Sequence, residues 1–585
     1  MRRCCYNYVI LTYLSTFRLR NYYAPCIWAV LVQPRGFHSN RVKGRHLLNK
    51  KAFSINIFFA FLTILFLSFS FPSPSISYLV WIAFVPWLLI LSTGYKTGFF
   101  SYLIGVSFFV INLSWLRYVT SLGWILLSLY LAAYFLAFGA ISHYLKRKLR
   151  LPYICIVPFV WITFEFIRSS PVTGFPWFFI GHSQYQHLTL IQIADITGVY
   201  GISFLILIVN AAIADIAEQV ILRKTSLFTH INNWGKKGSV FFWIVALTPS
   251  LMLLFAFVYG FLSFKHHTQY QDGPNVCLVQ GNIPQGIKIN PDDKQQEEIV
   301  LRYRNLTLDT TEKGIDMFVW PETMVPGILN IDPQILDRKI DSLSKESVQK
   351  SAQTKNAYML VGGTAIDVYE NIPFYYNAAF YYDRNGNYLD RYDKIHLVPF
   401  GEFVPLDDYF PFLSHLVPYE VNLSGGKRRT IFTLETIKDH TVFQFGVIVC
   451  YEDTIAPLVR KFRQDGAEFM VNVTNDAWFC NSAELDQHLS IMVFRSIENR
   501  MSIIRAANTG ISSFVSPSGE IYDFLTKEGK QKEIDGILCN KIKYENRETT
   551  WYTNYGDVFA LSCLIATILL SLITIRMKNF NLTFT

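Results

Sequence analysis

The sequence predicts a multi-span α-helical membrane protein with an inserted α/β domain, and three observations predict it. Of its 585 residues, 51% are hydrophobic and 17% are charged. Soluble globular chains carry about 25% charged residues, so lipid must solvate part of this one. The apolar residues also gather into runs of spanning length. Finally, a long stretch at 264–555 interrupts those runs with short β-rich segments alternating with polar, helix-like ones.

A spanning helix needs about 20 predominantly apolar residues. Candidate spans lie at 53–71, 76–94, 97–116, 122–144, 153–168, 196–217, 239–263 and 557–576. The fifth is short, and the sixth carries Asp215 near its end with Asp195 just outside it. Basic residues fall in every second connection. They occupy the N-terminal segment from Arg2 to Lys51, Lys96, the group Lys146, Arg147, Lys148 and Arg150, the group Arg223, Lys224, Lys236 and Lys237, and Arg576 with Lys578. The alternate connections hold little beyond Arg117 and Arg168. Cytoplasmic loops of membrane proteins are enriched in Lys and Arg. Seven spans at 53–263 therefore lead outward, 264–555 lies outside the cytoplasmic membrane, and 556–585 returns as a final helix with a short cytosolic tail. Residues 1–52 are basic, with short apolar pieces broken by arginines and no clear signal-peptide core. They are expected to form a poorly ordered cytosolic extension.

The net charge of +9 is spread between apolar runs and makes no basic tail or aromatic-interleaved patch, so a nucleic-acid partner is not expected. The nine cysteines are odd in number, with no CxxC pair and no zinc-ligand spacing. They are expected to be mostly buried small apolar residues rather than a disulfide framework.

In the inserted domain, strands are expected at 275–280, 316–320, 358–365, 377–382, 442–449, 469–473 and 512–516, and helices at 292–312, 333–353, 454–465 and 486–501. The runs DRNGN at 383–387 and SPSG at 516–519 read as hairpin turns. The mixture suggests a layered sheet sandwich covered by helices. No Gly-rich phosphate loop is present.

Three segments place a reactive group where a strand-like run ends. Glu322 follows an apolar run and Pro321, which should stop the strand. Lys394 sits among aromatic and apolar neighbours at 392–402, and Cys450 ends the run at 442–449 as a helix-like segment begins. Together these types make an acyl-transfer site. A free thiol has a pKa of about 8.5 and is mostly unionised at neutral pH. A carboxylate can take its proton, and an ammonium can favour the thiolate and a tetrahedral oxyanion. Taken singly, the cysteine could equally be a core residue, the glutamate a surface turn, and the lysine a solvated charge.

These segments resemble the Glu-Lys-Cys motifs of the nitrilase superfamily, and the whole arrangement resembles its membrane branch, the apolipoprotein N-acyltransferases. The carriers are VQGNIPQ at 279–285, WPET at 320–323, YDKIHLVPFGEFVP at 392–405, CYE at 450–452, NDAWF at 475–479 and RAANTG at 505–510. The resemblance implies a nitrilase-like αββα sandwich with Glu322 as general base, Lys394 as oxyanion stabiliser and Cys450 as nucleophile. It implies that Glu402 orients the lysine or assists proton transfer, and that Tyr451 and Glu452 support the site. For Glu402 and Glu452 a purely structural role is the alternative. The implied reaction passes an acyl chain from a membrane phospholipid, through a cysteine thioester, to the N-terminal amine of a diacylglyceryl-cysteine apolipoprotein, with no cofactor. It implies a bacterial inner-membrane location with the domain on the periplasmic side.

Trp478 and Phe479 are candidate substrate-loop residues, and Cys480 follows them where the family usually has glycine. Residues 398–421 are rich in aromatics and proline. They suggest a mobile lid whose Phe400, Phe403, Phe410 and Phe412 touch lipid; ordinary packing over the domain edge is the alternative. Two competing functions are a membrane-tethered amidase using the same triad and a non-catalytic lipid-binding scaffold or transporter.

Overall fold

A computed structural model of the protein describes residues 38–169, 174–220, 238–289, 291–336, 338–404, 423–545 and 549–582. The chain divides into two units, Met1–Lys50 and Lys51–Thr585. In the first, residues 38–50 are helical. Lys, Arg and Leu are good helix formers, and the basic run does not interrupt the helix His38–Ser70. Residues 1–37 lie outside the described residues.

Helices occupy each apolar stretch of the sequence: His38–Ser70, Ser77–Thr93, Thr97–Asn112, Ser121–Leu149, Val157–Arg168, Val199–Val220, Gly238–His266 and Val558–Leu582. Among the described residues, five segments are long and apolar enough to cross a membrane: Asn49–Ser70, Ser121–Leu149, Val199–Gln219, Trp243–His266 and Val558–Met577. Gly238–His266 exposes Leu251, Leu254, Phe255 and Phe261, and Val558–Leu582 exposes Ile565, Leu569 and Leu572. Contiguous apolar faces of this kind need lipid or a partner to cover them.

The two acidic residues that weaken the sixth stretch are both neutralised inside the protein. Asp215 accepts hydrogen bonds from the backbone N–H groups of Tyr153 (2.8 Å) and Ile154 (3.0 Å), and shares Lys146 with Glu218, whose Oε2 lies 2.8 Å from Nζ. Asp195 faces Arg500, with NH2 2.6 Å from Oδ2, and accepts from the Tyr259 hydroxyl at 2.9 Å. Arg500 also donates to Ser263 (2.8 Å). Because Arg500 directly follows the helix Glu484–Asn499, this buried pair ties the inserted domain to the membrane helices. Arg500→Ala should cost about 3–5 kcal/mol, since removing one partner leaves a buried charge uncompensated. Thermal unfolding in detergent measures it, and a loss under about 1 kcal/mol would mean that the pair is not a structural tie.

Among the described residues, the inserted domain has twelve strands: β1 (Gln271–Gln280), β2 (Met317–Val325), β3 (Tyr358–Tyr369), β4 (Ile372–Tyr382), β5 (Tyr388–Asp393), β6 (Ile431–Glu435), β7 (Val442–Val449), β8 (Phe469–Thr474), β9 (Ser502–Ala507), β10 (Ser513–Val515), β11 (Ile521–Phe524) and β12 (Gly536–Tyr544). They form two six-stranded sheets, ordered β12-β1-β2-β3-β4-β5 and β11-β10-β9-β8-β7-β6. In each sheet three central strands are parallel: β1, β2 and β3 in one, β7, β8 and β9 in the other. The sheets pack face to face. Residues alternate along each strand, so Val276, Leu278, Met317 and Val319 share one core with Val447, Val449, Val471 and Val473. Cys277, Val279, Phe318 and Trp320 point the other way, into a second core with Tyr303 and Val348 from the helices Asp293–Asp309 and Lys339–Lys355. The helices Ala456–Gln464 and Glu484–Asn499 cover the second sheet. The result is a four-layered αββα sandwich.

The cysteine expectation requires correction. Cys277 and Cys539 form a disulfide between β1 and β12, where they stand directly opposite in the antiparallel register. Composition could not reveal this because 262 residues separate them.

Candidate active site

Glu322, Lys394 and Cys450 reach one point from three different strands. Cys450 follows β7 at a positive φ of 52°, a strained conformation for a non-glycine residue. The short helix Cys450–Thr454 begins at this turn. Lys394 follows β5, and its backbone N–H donates to the Asn377 carbonyl on β4 (2.8 Å). Glu322 corrects the expectation that Pro321 ends a strand. β2 runs on to Val325, but its pairing with β3 is broken between Trp320 and Val325, and Thr323 takes a φ of 52°. Gly362 on β3 allows this bulge. A Cβ there would sit 2.2 Å from the Pro321 carbonyl oxygen and 2.7 Å from the Glu322 Cα.

Each oxygen of Glu322 is held. Oε1 accepts from Asn377 Nδ2 (2.7 Å) and lies 3.7 Å from Lys394 Nζ, while Oε2 accepts from the Asn475 backbone N–H (2.8 Å). Glu402 lies beside them, with Oε1 2.9 Å from Lys394 Nζ and 3.0 Å from Asn377 Nδ2, and Oε2 accepting from the Val398 backbone N–H (2.8 Å). Burial works against the Lys394 charge, yet Glu402, Glu322 and Cys450 together hold its pKa above the usual ammonium value. Burial pushes the Cys450 thiol well above its ordinary value. The Glu322 charge adds to that, while Lys394 opposes it. The resting thiol is therefore protonated at neutral pH, and a base must remove its proton as a substrate reacts.

Glu452 lies behind the triad, fully buried. It accepts from the Val449 backbone N–H at 2.8 Å on one oxygen, and from the backbone N–H groups of Ile395 (2.8 Å) and His396 (2.9 Å) on the other. The Tyr392 hydroxyl donates to both oxygens, at 2.9 and 3.0 Å. Burial pushes its pKa up to about 7 against these donors. One carboxylate thus fixes the turns that present Lys394 and Cys450.

Other predicted residues sit at the boundary with the membrane half. The Tyr451 hydroxyl donates to the Gly174 carbonyl (3.3 Å). The Phe479 ring meets Trp115 edge-on at 4.9 Å between centroids. Trp478 is half-buried beside it, and Cys480 is exposed. Phe400 is exposed and Phe403 half-buried on the loop that carries Glu402. Phe410 and Phe412 lie outside the described residues.

Sequence reasoning assigned no role to four sets of residues, although Asn475, Asp476 and Asn508 lie in its motifs. Asn377 and the Asn475 N–H hold the base; a lone Asn within the aromatic run of β4 was the available signal. Asn508 joins three motifs, donating to the Ile283 carbonyl (2.8 Å) and Asn475 Oδ1 (2.9 Å) while accepting from the Ile283 N–H (2.8 Å). Gln487 accepts from the indoles of Trp115 (3.1 Å) and Trp177 (3.0 Å) and donates to the Pro72 carbonyl (2.9 Å), clasping three membrane-half loops. Asp476, Glu484 and His488 cluster closely enough to hold a metal ion. However, the Arg505 guanidinium already supplies positive charge there, 2.9 Å from Asp476 Oδ2 and 2.8 Å from His488 Nδ1.

The chain matches two sequence families, the apolipoprotein N-acyltransferase N-terminal domain over residues 65–212 and carbon-nitrogen hydrolase over residues 275–543. The apolipoprotein N-acyltransferase of Geobacter metallireducens is 34% identical over 535 residues, covering 88% of this chain and 94% of that protein. That of Rickettsia prowazekii is 28% identical over 496 residues, covering 83% and 89%. A solved amidase from Nesterenkonia, of the nitrilase superfamily, is 14% identical with a TM-score of 0.33, covering 50% of this chain and 96% of that one. With both halves matched in one order and a relative aligned almost end to end, the chain belongs to the apolipoprotein N-acyltransferase family.

Proposed function

We propose that this acyltransferase moves an acyl chain from a membrane phospholipid to the N-terminal amine of a diacylglyceryl-cysteine lipoprotein, through a thioester on Cys450. The observation that carries this reading is the Glu322–Lys394–Cys450 constellation, with Glu322 and Lys394 buried and Cys450 half-buried, in a domain tied to apolar helices. In the first half-reaction Glu322 takes the Sγ proton as sulfur bonds to the ester carbonyl carbon, and Lys394 faces the oxyanion. The ester C–O bond then breaks, the glycerol oxygen takes the proton from Glu322, and the lysophospholipid leaves. In the second, the neutral amine attacks the thioester and its proton passes to Glu322. The C–S bond breaks and sulfur regains a proton. Glu402 holds Lys394, Tyr451 and Glu452 support the turn, and Trp478, Phe479, Phe400 and Phe403 border the path of the chains.

The same reading places the domain at 264–555 on the periplasmic face of a bacterial inner membrane, between seven helices at 53–263 and one at 556–585, with residues 1–52 in the cytosol. Two independent features support that side: the alternation of basic loops, and the Cys277–Cys539 disulfide, since disulfides persist in oxidising compartments such as the periplasm. The test is to place purified protein in phospholipid vesicles with a diacylated lipopeptide and follow mass. A peptide heavier by one acyl chain, with a thioester on the Cys450 peptide, is expected. Ammonia released from a small amide without any acyl gain would favour a tethered amidase instead.

A further inference from the structure

A second lysine stands beside the triad, outside the three motif residues. Lys288 lies on the short helix Gln285–Ile289, whose first residue is itself tied to the site: Gln285 Oε1 accepts from Asn475 Nδ2 (3.0 Å), and the Asn475 backbone N–H holds Glu322. Lys288 Nζ donates to the Glu322 carbonyl (3.3 Å) and to the Thr323 hydroxyl. It therefore grips the left-handed turn that follows the base. Neither acceptor is a carboxylate, so these bonds do not themselves neutralise its charge, although Glu322 acts on it from nearby. Lys394 differs, because Glu402 lies 2.9 Å from its ammonium.

We propose that Lys288 is a second cation of this active site, which pins the Glu322–Thr323 turn and favours the anionic forms of the reacting centre, the Cys450 thiolate and the oxyanion that follows it. This rests on the acyl-transfer reading above and deepens it. Lys288 is half-buried, and withdrawing an ammonium from water makes its charge costly to keep. Burial pushes Lys288 down to about 8, while Glu322 and Cys450 act to hold the charge on it. At neutral pH it is still an ammonium, held on the turn of the residue that faces the thiol. Two cations divide the work: Lys394 is fixed by Glu402 at 2.9 Å, whereas Lys288 is bonded to two neutral oxygens and adds its charge to the same centre. The resting thiol is held protonated by burial and by Glu322, so an added positive charge lowers the barrier to ionising it.

The test reads the thiol itself, without lipid substrates. The intact detergent-solubilised protein and its Lys288→Gln, Lys288→Met and Lys288→Arg variants are treated with iodoacetamide at pH 7.5, and alkylation of the Cys450 peptide is timed by mass spectrometry. Loss of the charge should slow alkylation about tenfold, equivalent to raising the thiol pKa by about one unit. Arg should restore most of the rate. Gln and Met variants that alkylate at the wild-type rate would overturn the proposal, even if lipid acyl transfer fell, because the charge would then act on the donor phosphate. An Arg variant as slow as Gln would also overturn it, showing that shape rather than charge is required. Failure of lipopeptide acylation with normal alkylation in the wild type would instead count against the acyl-transfer reading.

Discussion

Cys450→Ala is expected to abolish acyl transfer, and Glu322→Gln to slow formation of the acyl-enzyme by about a thousandfold. The first follows from covalent chemistry: alanine has no atom on which to hold the acyl chain. The second follows from the electrostatics of the site. Burial and Glu322 together keep the thiol protonated at rest, so little thiolate is available unless a base removes the proton as the bond forms. Glu322 is placed for this, with one oxygen on Asn377 and the other on the Asn475 N–H. Gln at 322 keeps the shape and one acceptor. It cannot take a proton, and its amide N–H₂ must face one of those two donors. The time course of acyl-enzyme mass in phospholipid vesicles measures the loss. If Glu322→Gln forms the acyl-enzyme within tenfold of the wild-type rate, Glu322 is not the base.

The sequence shows most clearly those features that depend on neighbours along the chain. The run at 442–449 is β7 residue for residue, and the DRNGN turn closes as expected, with Asp383 Oδ1 accepting from the N–H groups of Asn385 (2.9 Å) and Asn387 (2.8 Å). Short or amphipathic strands such as β5, β6, β11 and β12 were not read, because their pattern is set by the sheet beside them rather than by their own periodicity. Pro321 misled for a related reason. Proline cannot donate to a ladder, but the ladder is already broken at that point, so the strand passes through it and carries Glu322 into the interior. Glu322, Lys394 and Cys450 were legible as candidates because a motif surrounds each one. What holds them was not: Asn377 reaches Glu322 across 55 residues, and Gln487 reaches Pro72 across 415. Such contacts exist only after two sheets and the membrane-half loops have come together. Asp195 and Asp215 show the same limit from the other side. They looked like defects in an apolar segment, and became partners of Arg500 and Lys146 once the fold was known.

Glu452→Gln is expected to lower activity by about a hundredfold although Glu322, Lys394 and Cys450 are all retained, because displacing catalytic groups by about 1 Å can cost that much. The carboxylate accepts from three backbone N–H groups and the Tyr392 hydroxyl and has no donor of its own to offer. An amide at this position must direct its N–H₂ at either the Val449 N–H or the pair from Ile395 and His396. Either the Val449 donor or both of the other two then lose their acceptor, at about 1–3 kcal/mol for each group left unsatisfied. If the Val449 side gives way, the Cys450 turn moves; if the other side does, the segment leading from Lys394 moves. Either displacement separates the nucleophile from the ammonium that faces its oxyanion. The loss should therefore fall on acyl-enzyme formation and on its transfer to the amine alike, which distinguishes it from a change in binding one lipid. Measuring the two half-reactions separately checks this, together with thermal unfolding to confirm that the variant is folded. Glu452→Asp, which keeps the charge but shortens the reach by one methylene, should recover only part of the rate. A folded Glu452→Gln variant with wild-type rates in both half-reactions would show that the two turns hold their positions without this carboxylate.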